Sequence, residues 1–166
     1  MKRTRKLILA LVVVMSLLMA MAVAVIPASA QTMTGGETLY LKPNSNWTQA
    51  NARFAIYVYG SGNAWVSMSD PDGDGIYEAT VPAGSWTNVI FCRMNPGTTA
   101  NNWNNKWNQT GDLVYDGIKN QCTIKDGQWD CGTNVTWSTY IPPACTNHNL
   151  GPNGKCTNQG CDGGHY

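Results

Sequence analysis

The chain is poor in charge and poorer still in catalytic side chains. Of its 166 residues only 13% are charged, and there are just two histidines and two glutamates, Glu37 and Glu78. His148 and His165 both lie in the C-terminal tail. No Ser-His-Asp or Cys-His arrangement can therefore be set in the body of the chain. Most aspartates fall in turn sequences, so the two placed carboxylates of a glycosidase are missing as well. If the chain is cleaved after Ala30, the new N-terminus is Gln31 rather than histidine, which excludes a copper oxygenase built on an N-terminal histidine brace. The expectation is a protein that is not an enzyme and uses no cofactor.

Basic runs are equally scarce. The only one is Lys2, Arg3, Arg5 and Lys6 at the N-terminus. From residue 31 onward seven basic residues face ten acidic ones, a net charge of −3. A mildly acidic chain with no basic stripe has no electrostatic footprint for nucleic acid. Long apolar runs are absent too, except one. Residues 7–26 are almost entirely apolar, Pro27 follows, and Ala28-Ser29-Ala30 has the small-x-small pattern of a signal-peptidase site. Residues 1–30 are thus expected to be a cleaved signal peptide that directs secretion. Left uncleaved, the apolar run is long enough for a single-span membrane anchor.

What the chain does have is aromatic rings and cysteines. All seven tryptophans, all seven tyrosines and all six cysteines follow residue 31. Residues 31–37 read as a short linker. From 38 to about 140, short apolar runs rich in β-branched and aromatic residues alternate with Gly, Asn, Asp and Pro, the pattern of an all-β sandwich or barrel. Strands are expected at 39–42, 53–59, 65–69, 76–81, 88–94, 112–115, 121–124 and 128–131. Residues 141–166 hold three prolines, several Gly and Asn, and hardly any apolar side chains. Such a tail builds no core and is expected to be disordered or stapled by disulfides.

Two hairpins can be read in register. In the first, Tyr59 opposes Trp65 across the loop 60–64. Phe54, Ile56, Val58, Val66 and Met68 then share a core face, and Tyr57, Tyr59, Trp65 and Ser67 share the opposite one. In the second, Asp126-Gly127 predicts a type I′ turn. Ile124 then opposes Trp129, and Cys122 opposes Cys131 in a non-hydrogen-bonded pair suited to a cross-strand disulfide. Cys92 shares a strand face with Ile90 and Met94 and is expected to be a buried free thiol.

Rings on a strand face suit sugars. A flat indole or phenol stacks on the C–H face of a pyranose, while amides and hydroxyls bond its rim. Tyr57, Tyr59 and Trp65 supply such a platform. The segment 101–110 adds Trp103, Trp107 and Asn108 among further amides that both donate and accept.

Two metal patterns also occur. Asp70-Pro-Asp72-Gly-Asp74-Gly75 copies the first half of an EF-hand loop, although its twelfth position is Val81. Asp70, Asp72 and Asp74 are therefore candidate ligands for a structural calcium. The tail carries Cys145-x2-His148 and Cys156-x4-Cys161-x3-His165. That spacing matches no familiar zinc module, and disulfides are the default in an oxidising compartment.

Several segments follow one another in a telling order: Leu39-Tyr-Leu-Lys-Pro-Asn-Ser-Asn-Trp47, Ala52-Arg-Phe-Ala-Ile-Tyr57, Trp65-Val-Ser-Met68, Asp72-Gly-Asp-Gly-Ile-Tyr-Glu78, Val89-Ile-Phe-Cys-Arg-Met-Asn-Pro96 and Trp107-Asn-Gln-Thr110. This series resembles the starch-binding carbohydrate-binding modules of family 26 and their relatives, over roughly residues 38–140. The resemblance implies an immunoglobulin-like antiparallel β-sandwich. It also implies that Tyr57, Tyr59 and Trp65 stack on an α-glucan, as two tyrosines and a following tryptophan do in that family. The expected partner is then a polysaccharide, α-glucan first, with the module tethering a secreted glycoside hydrolase or a cell surface. The alternative is a structural or adhesive extracellular protein whose Cys/His tail cross-links or holds metal.

Overall fold

The computed structural model describes residues 30–142. Residues 1–29 of the expected signal segment and 143–166 of the tail, with all its Cys and His, lie outside these residues. Among the described residues nine strands form two sheets: β1 (Thr38–Lys42), β2 (Arg53–Gly60), β3 (Asn63–Ser67), β4 (Tyr77–Thr80), β5 (Trp86–Met94), β6 (Lys106–Gln109), β7 (Leu113–Val114), β8 (Gln121–Ile124) and β9 (Val135–Ser138). One sheet has the order β4-β1-β8-β9. The other has the order β3-β2-β5-β6, with β7 also on β5. The chain is an all-β sandwich. It is not wholly antiparallel, because β1 and β8 run parallel.

Alternation explains the packing. Leu39 and Leu41 from β1, Phe54, Ile56 and Val58 from β2, and Val89 and Phe91 from β5 point between the sheets and are buried. Trp47, from the segment between β1 and β2, is also fully buried in this core. Its amide N–H donates to the Asn44 side chain at 2.9 Å and its indole N–H to the Trp129 carbonyl at 2.7 Å.

The first hairpin differs in register from the expectation. Tyr57 opposes Trp65, Ile56 opposes Val66, and Tyr59 opposes Asn63. The turn is therefore shorter, and the strands have slid by two residues. A slide of two preserves which face each side chain takes, so the three rings still lie together. Gly60 lets the end of β2 lie close to the start of β5: a Cβ there would sit 2.5 Å from the Ser85 carbonyl oxygen.

The second hairpin does not form. Gln128 N–H does bond to the Lys125 carbonyl at 3.3 Å, but only Gly127 has a positive φ. A type I′ turn needs positive φ at both central residues. The chain therefore leaves β8 as a loop, and the antiparallel partner of β8 is β9, which places Trp137 opposite Cys122. The expected disulfide is corrected accordingly: Cys122 and Cys131 are both buried free thiols.

Candidate functional site

The outer face of the β3-β2-β5-β6 sheet carries its own small apolar layer. Ala55, Ile90, Cys92 and Met94 are buried there, and Tyr57, Tyr59 and Trp65 pack against them. Cys92 is the buried free thiol expected from its strand position. The ring centroids of Tyr57 and Tyr59 are 5.7 Å apart in a stacked pair, and Trp65 lies 5.0 Å from Tyr57. Trp103 then closes the cluster, 4.8 Å from both Tyr57 and Trp65 and edge-on to each. It is 45% exposed, while the other three are half-buried.

A latch brings Trp103 there from a loop. Arg53, on the same face of β2, donates to the Asn95 carbonyl at 3.1 Å, the Ala100 carbonyl at 2.7 Å, Thr98 Oγ1 at 3.2 Å and the Asn101 side-chain oxygen. The Asn101 amide in turn donates to Ser67 Oγ on β3 at 2.9 Å. The Asn102 side chain accepts from Asn105 N–H and caps the 3-10 turn Trp103–Asn105. The Asn-rich segment is thus a folded loop bonded across two strands, with one indole delivered onto the platform.

Polar groups rim the rings. The Tyr59 phenol is pushed up first by burial and then by Asp112, which accepts its hydroxyl hydrogen bond, while Asn88 pulls the other way. Lys106 Nζ lies 5.8 Å from the Trp103 ring and bonds to Gln109 Oε1 at 2.6 Å. The face therefore joins apolar ring surface to amides, a hydroxyl, an ammonium and a carboxylate.

Trp107 and Asn108 do not join this platform. Across a bulge between Arg93 and Met94, Lys106 opposes Met94 and Asn108 opposes Arg93. Trp107 turns to the other side of the sheet. Its ring centroid lies 4.6 Å from the Arg93 guanidinium carbon, with Trp129 5.3 Å away from that carbon. Trp129, expected opposite Ile124, sits instead on Arg93. No local signal marks Trp129, because its partner Arg93 is remote in the chain.

Asp70, Asp72 and Asp74 do come together, with ligand oxygens within 4.8 Å of one another. The loop also directs backbone donors at these oxygens. Asp70 Oδ1 accepts from Gly73 at 2.8 Å and Asp74 at 3.2 Å, Asp70 Oδ2 from Gly75 at 3.1 Å, and Asp74 Oδ1 from Ile76 at 2.7 Å. Val81, where an EF-hand has its bidentate glutamate, is in the core. The three carboxylates thus gather at one turn whose backbone N–H groups they also accept from, Asp72 taking Asp74 N–H at 3.4 Å.

The three described cysteines are chemically quiet. Burial pushes the Cys92 thiol up to about 12 and Cys131 to about 11, and raises Cys122 as well, with Cys131 adding to the effect. At pH 8 a thiol at 12 holds about a thousandth of the thiolate of one at 9. In the native protein, iodoacetamide should leave all three unmodified over an hour, and each should label at once in guanidinium. Peptide mass spectrometry reads the difference.

No family model, curated protein or solved structure matches the chain.

Proposed function

We propose that this chain is a secreted, non-catalytic module that binds polysaccharide, α-glucan first, by stacking sugar rings on Tyr57, Tyr59, Trp65 and Trp103. The carrying observation is the four-ring cluster itself, with centroids 4.8 to 5.7 Å apart and an exposed indole latched onto it. A core-filling ring needs no latch. Holding a ring at the surface before the ligand arrives lowers the ordering cost of binding. The carboxylates support the non-catalytic reading. Glu37 is tied to Thr34 and Gly35 N–H at 2.9 and 2.8 Å, and Glu78 sits on β4 in the other sheet. Secretion rests on the leader-like segment 1–30, and tethering of a hydrolase or cell surface on the resemblance to starch-binding modules.

The test is retention on insoluble polymers: granular starch, cellulose, chitin and xylan. Starch should retain the protein, and soluble amylose should release it. Because no charge pairs with a neutral glucan, retention should change less than about twofold between 50 and 500 mM NaCl. A folded protein that passes through all four polymers rules the reading out.

A further inference from the structure

Trp107 and Trp129 form a second aromatic patch that the platform does not use. They are 39% and 43% exposed. Between them lies Arg93, itself only 5% exposed. Its Nε donates to the Trp47 carbonyl at 2.7 Å, Nη2 to the Gln49 carbonyl at 2.6 Å and Nη1 to Asn108 Oδ1 at 3.3 Å. The guanidinium is thus pinned by three bonds, and both indoles pack on it by cation–π contact. Trp129 is held a second way, since its carbonyl accepts from the Trp47 indole. These are surface rings with fixed positions.

The rim is polar and directional. Asp130 Oδ2 accepts from the Asn108 amide at 3.3 Å and Asp130 Oδ1 from Gln109 N–H at 3.2 Å. Asp130 is exposed and Asn108 half-exposed, so both keep capacity for a hydroxyl. The size of the patch separates ligand classes. A tryptophan side chain presents up to about 250 Å², so two rings at these exposures offer about 200 Å². A stable protein interface takes about 800 Å² from each partner. No other exposed large hydrophobic among the described residues packs on Arg93. The patch fits one or two sugar rings and is too small for a protein.

We infer that Trp107 and Trp129, set on Arg93 and rimmed by Asn108 and Asp130, are a second pyranose-binding site on the opposite side of the sheet from the first. One short segment serves both: Trp103 goes to the outer face and Trp107, four residues later, to the other. The ligand chemistry rests on the reading proposed for the platform; the residues are independent of it. Two sites on opposite sides cannot stack on one flat run of sugar, so the module joins two chains or two stretches of one chain. Paired sites raise retention on a dense polymer well beyond either alone.

The experiment titrates the protein with maltoheptaose, cellohexaose, chitohexaose and xylohexaose by calorimetry. It compares the native sequence with Tyr57→Ala/Trp65→Ala and with Trp107→Ala/Trp129→Ala. One sugar should bind at two per protein, and at one per protein in each double variant. Retention on the matching granule should fall at least tenfold in both. A Trp107→Ala/Trp129→Ala protein that matches the native sequence overturns the second site and leaves the platform standing. Binding lost wholly with that pair, and unaffected by the Tyr57/Trp65 pair, overturns the platform and keeps the second site. No binding of any sugar overturns both. Should a variant fold poorly, hydroxyl-radical footprinting of the native protein decides. Saturating sugar should protect Trp107 and Trp129 as well as Trp65 and Trp103, and protection of the latter two alone overturns the inference.

Discussion

Arg93→Ala should lower stability by about 3 kcal/mol, seen as a fall in Tm of roughly 10–20 °C in a domain of this size. The argument starts from burial. An arginine on an inward-facing strand position is costly unless its donors are used. Here three are used, and the two carbonyls they meet belong to the segment carrying Trp47 and Gln49. Truncation strands the buried Trp47 carbonyl, opens a cavity beside the largest fully buried side chain, and removes the surface on which Trp107 and Trp129 rest. Arg93→Lys should rescue little. One ammonium cannot reach Trp47, Gln49 and Asn108 at once, and it lacks the flat face the indoles cover. Thermal melts of the two variants check this, and a Lys variant as stable as the native protein would contradict it.

Trp65→Ala should remove sugar binding at the platform, leaving the Trp107/Trp129 site in place, while costing only about 1–2 kcal/mol of stability. Trp65 lies on β3, the edge of its sheet, and is half-buried against the outer apolar layer rather than in the core between sheets. Its ring touches both Tyr57 and Trp103, so removing it deletes one stacking surface and unsupports two more. Each tenfold in affinity is 1.4 kcal/mol. Losing one ring contact outright and loosening two others should weaken binding at least thirtyfold. Electrophoresis in native gels cast with soluble starch measures it: the native protein is slowed, and the variant should be slowed far less. Trp103→Ala should fall between the two, since that ring is the most exposed of the four.

The difference between what could and could not be read from the sequence follows from range. The platform rings were legible because face assignment along a strand depends only on parity. A register error of two in the 53–67 hairpin left Tyr57, Tyr59 and Trp65 together. Cys92 was placed by the same alternation. The second hairpin failed because Asp126-Gly127 is a local signal, and a competing partner, Val135–Ser138, pairs more fully with β8. Strand β6 was hidden inside an Asn-rich segment whose composition reads as loop. The Arg93 clamp was illegible for a stronger reason. It joins residues 47, 93, 107 and 129, and no pattern within a window of sequence connects them. The division of Trp103 and Trp107 between two faces follows from a bulge, which composition does not announce.

The Arg53 latch has a consequence for how the platform answers to its surroundings. Trp103 reaches the cluster only while residues 95–101 are seated on β2 and β3. The observed dissociation constant is therefore the intrinsic one divided by the fraction of molecules with the latch closed. A change at Arg53, Asn101 or Ser67 that never touches a ligand still scales the affinity through that fraction. On the proposed reading, the tightness of the site is stored in a hydrogen-bonded loop, so it can be tuned up or down without redrawing the surface offered to a ligand.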